Sequence, residues 1–308
     1  MIKGQVIKST GSQYLVKLQD NSILTCRIRG KLRKMDIVST NPVAVGDNVM
    51  LERQDDNSAW IIDIEDRKNY IIRKSTKLSK QCHIIAANVD KAFIIFTIAV
   101  PDTPLEFLDR FLVSAEAYNV KVCIVFNKID LYVEEHLEYI AYLIDIYREI
   151  GYECMPVSAK TNENIDVLKS LLVPGLNLFS GVSGAGKSTI LNTLKPELNL
   201  KTQEISNYHL KGKHTTSFAE IFQLYDNYYV IDTPGIKGFG LYNFEKNEIY
   251  HFFPEIFKYS HKCKYHNCLH INEPGCEVIK AVESGQIAES RYRSYLNIYY
   301  DDNSKHRT

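Results

Sequence analysis

The octapeptide GVSGAGKS, Gly181 to Ser188, sets glycines, a lysine and a hydroxyl at the spacing G-x-x-x-x-G-K-[ST]. Glycines at those positions let backbone N–H groups turn inward around an anion, and a following helix adds its positive N-terminal end. The apolar run GLNLFS before it and STILNTL after it read as that strand and that helix. The chemistry is phosphate binding. Gly181, Val182, Ser183, Gly184, Ala185, Gly186, Lys187, Ser188 and Thr189 are the expected cradle. Lys187 is placed to reach β- and γ-phosphates, and Ser188 to ligate Mg²⁺.

A second stretch, NKID, follows the apolar run VCIVF, so it sits at a strand's C-terminal end, where α/β sheets bind ligands. Asp130 can accept hydrogen bonds from guanine N1–H and its 2-amino group. Adenine lacks both donors, which would leave a buried carboxylate unsatisfied. Asn127 can meet the other edge of the base, and the apolar stem of Lys128 can cover its face. The next predicted strand, ECMPV, ends in Ser158, Ala159 and Lys160, whose N–H groups are positioned for the guanine carbonyl. A third stretch, DTPG, ends the strand YYVI. Asp232 is expected to hold Mg²⁺ through water, and the Gly235 N–H to bond the γ-phosphate. Between the phosphate loop and DTPG lies KGKHTTSF, in which Thr215 or Thr216 is the candidate to close over Mg²⁺.

These motifs belong to a GTPase, but their order is unusual. The base reader precedes the phosphate loop, as if the usual cycle of motifs had been cut at another point. Termini in one domain often lie close together, so such a circular permutation costs little topologically. Ile236 stands where many GTPases carry a water-orienting glutamine. His214 is the candidate replacement, and slow intrinsic turnover completed by a partner is expected. The permutation also leads the DTPG segment straight into the C-terminal region, which a γ-phosphate-dependent shift could move as a lever. A P-loop ATPase is disfavoured by Asp130. A nucleotide-switched RNA-binding module with vestigial hydrolysis is the alternative, and the intact Lys187, Ser188 and Asp232 favour turnover.

Further along, CKYHNCLHINEPGC offers Cys263, Cys268, His270 and Cys276. Four N/S ligands so close together fit a closed, structural zinc site; a redox thiol pair is the alternative. The remaining three of the seven cysteines besides Cys26 are the scattered Cys82, Cys123 and Cys154, not a disulfide framework. Near the N-terminus RIRGKLRK brings Arg27, Arg29, Lys31, Arg33 and Lys34 together without an acid. RNA contact and a solvated, aggregation-resistant edge strand are the two readings.

The elements that must position these groups fall into three parts. Residues 1–68 alternate as five short strands, a small closed β-barrel of the OB type, with an SH3-like barrel as the alternative. Residues 69–240 alternate strands with helices, which predicts a mostly parallel α/β sheet. Residues 241–308 read as a helical, zinc-binding region, whose tyrosine-rich tail suits either nucleic-acid contact or packing on its own domain. With 308 residues the chain is long enough for such a multidomain α/β protein. Lys plus Arg and Asp plus Glu are 37 each, so any nucleic-acid surface must be local. No apolar run is long enough to cross a membrane, no leader-like h-region opens the chain, and a cytoplasmic monomer is expected.

The combination of a barrel, N-K-x-D, S-A-K, the phosphate loop, H-T-T, D-T-P-G and C-x₄-C-x-H-x₅-C resembles the RsgA (YjeQ) family of circularly permuted bacterial GTPases. The resemblance runs over nearly the whole chain. It implies an N-terminal OB-fold, a central GTPase and a C-terminal zinc domain. It also implies GTP and GDP as ligands, the small (30S) ribosomal subunit with its 16S rRNA as partner, and a late role in maturation of that subunit. Hydrolysis would be stimulated by the subunit, with release afterwards. On this chain the nucleotide roles fall to Asn127, Lys128, Asp130, Ser158, Lys187, Ser188, Asp232 and Gly235. The family's switch residues match His214, Thr215 and Thr216, and its zinc ligands match the four residues above.

Overall fold

The computed structural model of the chain describes residues 2–29, 39, 41–54, 57–74, 82–202, 218–236, 238–242 and 244–301. The first five strands are β1 (Ile2–Ser9), β2 (Tyr14–Leu18), β3 (Ile23–Ile28), β4 (Asn48–Arg53) and β5 (Ser58–Ile64). β1 pairs antiparallel with both β2 and β4, β2 with β3, and β4 with β5, while β3 runs parallel to β5. That closes a ring in the order 1-2-3-5-4. A simple meander has no parallel neighbours, so this is the five-stranded Greek-key barrel of the OB type. Period-two alternation turns Val16, Leu24, Cys26, Val49, Leu51 and Ile61 into its core.

A two-stranded ribbon follows, β6 (Tyr70–Lys74) and β7 (Cys82–Ala87). No local pattern in the sequence predicts this ribbon. YIIRK and CHIIAA are short apolar runs without a turn signal between them, and their burial comes from distant partners. Ile72, Cys82 and Ile84 pack on Ala44, and the Ser114 hydroxyl donates to the Ile72 carbonyl at 3.0 Å.

The central sheet is built from β8 (Lys91–Phe96), β9 (Val122–Asn127), β10 (Glu153–Val157), β11 (Gly175–Gly181), β12 (Glu220–Tyr225) and β13 (Tyr228–Asp232). Its order is β10-β9-β8-β11-β13-β12, all parallel except the antiparallel edge β12. Strands buried on both faces should read as continuous apolar runs, and the AFIIF of β8 and the VCIVF of β9 do. Ile94, Phe96, Ile124 and Phe126 face helices α1 (Leu105–Ala117) and α2 (Glu134–Ile150). Phe93, Ile95, Cys123 and Val125 face α3 (Ile165–Ser170) and α4 (Lys187–Leu194). The barrel joins this sheet where β1 meets β12 at Lys8 and Glu220, whose side chains form an ion pair at 2.7 Å.

The C-terminal helices are α5 (Pro254–Ser260), α6 (Glu277–Glu283) and α7 (Glu289–Tyr300), preceded by a 3₁₀ turn at Lys246–Phe252. They share one continuous core with α1 and α2, through Phe253, Ile256, Tyr295 and Ile298. A buried ionic cluster crosses the same seam. Arg291 on α7 donates to Asp109 on α1 and, at 2.7 Å, to Glu255 on α5. Tyr147 on α2 donates to the same Asp109 oxygen at 2.7 Å. Burial raises the Asp109 carboxyl, opposed by the Arg291 charge.

Candidate functional site

The phosphate loop runs from the end of β11 into α4. Gly181, Gly184 and Gly186 take φ of 149°, 81° and 98°, values that L side chains rarely adopt. A Cβ at Gly186 would meet the Asn127 side chain, and one at Gly181 the Ile95 carbonyl, so these glycines are needed for space as well as for turn geometry. Lys187, only 7% exposed, donates to the carbonyls of Gly181 and Val182 at 2.9 Å each. Burial pulls its ammonium down to about 8, opposed by the charge of Asp232. Ser188 and Thr189 are half-buried in the first turn of α4.

Asn127 ends β9 and is fully buried. Its Nδ2 donates to the Ala185 carbonyl at 2.8 Å, and its Oδ1 accepts from the Ala159 N–H at 3.4 Å. One side chain therefore ties the base-reading segment to the phosphate loop on one side and to S-A-K on the other. Lys128, in the left-handed region at φ 71°, donates from Nζ to the Gly184 carbonyl at 2.7 Å. Burial lowers its ammonium, and Asp130 opposes the shift. The Ser158 hydroxyl donates to Asp130 Oδ1 at 2.6 Å and accepts from Thr161 N–H at 3.1 Å, which fixes the carboxylate's direction. Lys160 is exposed at the rim.

Asp232 ends β13 beside Phe179 of β11 and is 1% exposed. The Thr233 hydroxyl donates to the Phe179 carbonyl at 2.9 Å, and the Ile236 N–H to the Gly181 carbonyl at 3.1 Å. A Cβ on Gly235 would overlap Ser183, so only glycine brings this backbone against the phosphate loop. Ile236 points into the core, away from any role with water. Asp232 is close enough for its charge to act on Lys187, and Ser188 follows Lys187 in α4; a carboxylate and a hydroxyl are hard oxygen donors of the kind Mg²⁺ takes.

His214, Thr215 and Thr216 lie outside the described residues, as do Lys31, Arg33 and Lys34. Arg27 and Arg29 are exposed at the end of β3, and Arg29 pairs with Glu52 on β4. Two positioning residues escape a sequence reading. Tyr132 donates to the Asn127 carbonyl at 3.2 Å and accepts from Ile98 N–H at 3.2 Å. Thr193, on α4, donates to the Ala159 carbonyl at 3.2 Å. Neither belongs to a motif, and each joins a backbone group nearby in the chain to one far away: Tyr132 bridges Asn127 and Ile98, and the Thr193 hydroxyl faces the carbonyls of Thr189 and Ala159.

At the C-terminal end Cys263, Cys268, His270 and Cys276 offer ligand atoms that all lie within 4.8 Å of one another. A tetrahedral zinc with Zn–S near 2.3 Å and Zn–N near 2.05 Å requires S···S edges of about 3.8 Å and S···N edges of about 3.5 Å. Cys263 Sγ lies 3.9 Å from Cys276 Sγ, and His270 Nδ1 lies 3.6 and 3.4 Å from those two sulfurs. The four groups fit a metal ion. Glu273, absent from the sequence reading, accepts from the N–H groups of Leu269, Ile271 and Asn272 and so holds the loop in shape. Tyr292 of α7 donates to the His270 carbonyl at 2.7 Å, and Tyr295 to the Leu269 carbonyl. Those tyrosines of the tail thus pack on their own domain.

A parallel sheet with the base-reading tetrapeptide, S-A-K, the phosphate loop and D-T-P-G all at the C-terminal ends of its strands defines a P-loop GTPase in circularly permuted order. Comparison with known proteins agrees. The family model for the RsgA GTPase matches residues 64–242, and that for the RsgA N-terminal domain matches residues 3–61. The small ribosomal subunit biogenesis GTPase RsgA of Bacteroides fragilis is 54% identical over 300 residues, 97% of each chain. That of Christiangramia forsetii is 48% identical over 309 residues, 99% of this chain and 98% of its own. Among solved structures, YjeQ from Thermotoga maritima superposes with a TM-score of 0.75 at 32% identity, over 97% of each chain. YloQ, described as a circularly permuted GTPase, gives 0.70 at 28% identity, over 99% of this chain and 96% of its own. The chain belongs to the RsgA GTPase family.

Proposed function

We propose that this protein hydrolyses GTP to GDP and phosphate while bound to the small ribosomal subunit, late in that subunit's maturation, and that the subunit stimulates the reaction. The observation that carries the nucleotide part is the Asn127 side chain, bonded at once to the phosphate loop and to S-A-K. Base recognition and phosphate binding are then one rigid site. The names of the relatives support the partner, and the exposed Arg27 and Arg29 support contact between the barrel and 16S rRNA.

In this reading Asp130, oriented by Ser158, accepts from the guanine edge, and the N–H groups of Ala159 and Lys160 meet its carbonyl. Lys187 and the backbone from Gly181 to Thr189 hold the phosphates. Ser188 and Asp232 would hold Mg²⁺, which neutralises charge on the β- and γ-oxygens. Gly235 donates its N–H to the γ-phosphate, Thr215 or Thr216 closes the site, and His214 or a group of the subunit orients the attacking water. Water attacks the γ-phosphorus, the bond to the bridging oxygen breaks, and GDP leaves with the electron pair. The metal at Cys263, Cys268, His270 and Cys276 is zinc, with a structural role, since four protein ligands leave no open position. Residues 1–68 serve as the RNA-binding barrel, 69–240 as the GTPase and 241–308 as the zinc region, in a cytoplasmic monomer.

The test is phosphate release from GTP, alone and with purified small subunits, with ATP as control and salt held fixed. Strong stimulation for GTP only is the expected result. A slow rate unchanged by the subunit would favour the alternative, a nucleotide-switched RNA-binding module.

A further inference from the structure

The outer face of α2 has no role in nucleotide binding, yet it is built unlike an ordinary solvated helix. Its inner face is conventional, with Ile140, Leu143, Ile144 and Tyr147 buried against the sheet. Outward it exposes Glu134, Glu135, Glu138, Asp145 and Glu149, and the only exposed base is Arg148, whose guanidinium donates to the Cys154 carbonyl. Helices normally gain from carboxylates and cations alternating at i, i+4. Here Glu134 and Glu138, and Asp145 and Glu149, are like-charged i, i+4 pairs. Glu134 and Glu135 suit the positive N-terminal end of the helix. Asp145 and Glu149 sit toward its negative C-terminal end, where carboxylates are unfavourable. Beyond the first turn, the like-charged pairs and the carboxylate of Glu149 in the last turn do not favour the helix itself.

Large apolar groups stand among these charges. Tyr142 is 56% exposed and Tyr139 42%, with their rings stacked at 6.4 Å between centroids. Tyr142 is at the centre of the outer face, one turn from Glu138 and Asp145 and two turns from Glu135 and Glu149. Leu131, Val133 and Leu137 are 47%, 61% and 42% exposed at the N-terminal end of the same helix. An aromatic face ringed by carboxylates attracts an alkyl-stemmed cation by charge, by cation–π contact and by burial of the stem. It repels nucleic acid.

We infer that the outer face of α2 is a docking surface for a lysine- and arginine-rich protein segment of the small ribosomal subunit, with Tyr142 as its anchor. The inference rests on the subunit-binding reading above. It divides recognition between two surfaces of opposite charge: the barrel meets RNA, and α2, which begins just beyond the base-reading segment, meets basic protein.

The test uses the full chain with its metal, a non-hydrolysable GTP analogue and purified small subunits. A photo-crosslinking amino acid at Tyr142 should give a protein–protein crosslink that maps to a Lys/Arg-rich segment. Tyr142→Ser combined with Glu138→Lys and Asp145→Lys should weaken subunit binding by at least about tenfold, with basal GTP turnover unchanged. Crosslinks to rRNA alone, or none, together with undiminished binding of the triple variant, would overturn the inference. Should the unaltered chain itself fail to bind subunits, the partner reading falls first and this docking surface with it, so the two failures are told apart by the wild-type control. Because all three positions are exposed, loss of the fold is not expected, and an unchanged melting temperature verifies it.

Discussion

At the scale of single residues, selectivity for guanine rests on Asp130 being both charged and aimed. Ser158 supplies the aim, with its hydroxyl at 2.6 Å from the carboxylate. Asp130→Asn replaces an acceptor pair by a group that presents a donor to two donors of the base. We expect GTP affinity to fall by about 2–3 kcal/mol, roughly 30- to 150-fold, read by titration calorimetry. Xanthosine triphosphate, which carries a carbonyl in place of the amino group, should lose far less. Equal losses for both nucleotides would remove Asp130 from base recognition. Ser158→Ala should show the same selectivity change in weaker form, since it frees the carboxylate without removing it.

At the scale of elements, the C-terminal helices and the ribbon β6–β7 make separable predictions. Cys268→Ser removes one of four ligands, and metal analysis should find zinc largely lost from the purified chain, with faster proteolysis between 263 and 276. Retention of one zinc per chain would contradict the ligand assignment. Arg291 holds α7 and α5 to α1 through two carboxylates that are almost wholly buried. Arg291→Ala leaves the buried Asp109 carboxyl without its cation, and should destabilise the chain by about 3–5 kcal/mol in denaturant unfolding; adding Asp109→Leu should restore much of that. The ribbon carries a pH-dependent contribution. Burial holds the His83 imidazole down at about 4, and the Arg73 charge adds to the shift. Its folded value lies below the unfolded value near 6.5, so its contribution is complete above that pH and is lost as pH falls towards 4. His83→Gln should flatten the stability curve over that window by no more than about 3 kcal/mol; an unchanged curve would place the acid sensitivity elsewhere.

At the scale of the whole molecule, the permuted order sends the chain from D-T-P-G directly into the C-terminal region, and described residues along the way are packed. Ile236, Phe239 and Leu241 enter the same core as α1, and Phe239 meets Phe107 and Phe111 edge-on. A lever-like swing of the C-terminal helices would have to break that core and the Arg291 pairs, so a signal from Gly235 is better transmitted by small shifts through packed side chains. Much of this organisation is legible in the sequence alone. The phosphate loop, N-K-I-D, D-T-P-G and the Cys/His spacing are local patterns whose chemistry needs fixed residue types at fixed separations. The doubly buried strands announce themselves as unbroken apolar runs such as the AFIIF of β8. Other features arise only when distant segments meet. The pairing of β6 with β7, the parallel closure of β3 on β5, and the bonds from Tyr132 to Ile98 and from Thr193 to Ala159 join segments far apart in the chain. The choice between RNA contact and self-packing for Tyr292 and Tyr295 was likewise decided by the loop at Leu269 and His270 that they hold. Sequence determined which groups are present and how neighbours along the chain are spaced, because covalent geometry alone sets that. Tertiary structure decided which of them touch, because only folding brings Asn127 within 2.8 Å of Ala185.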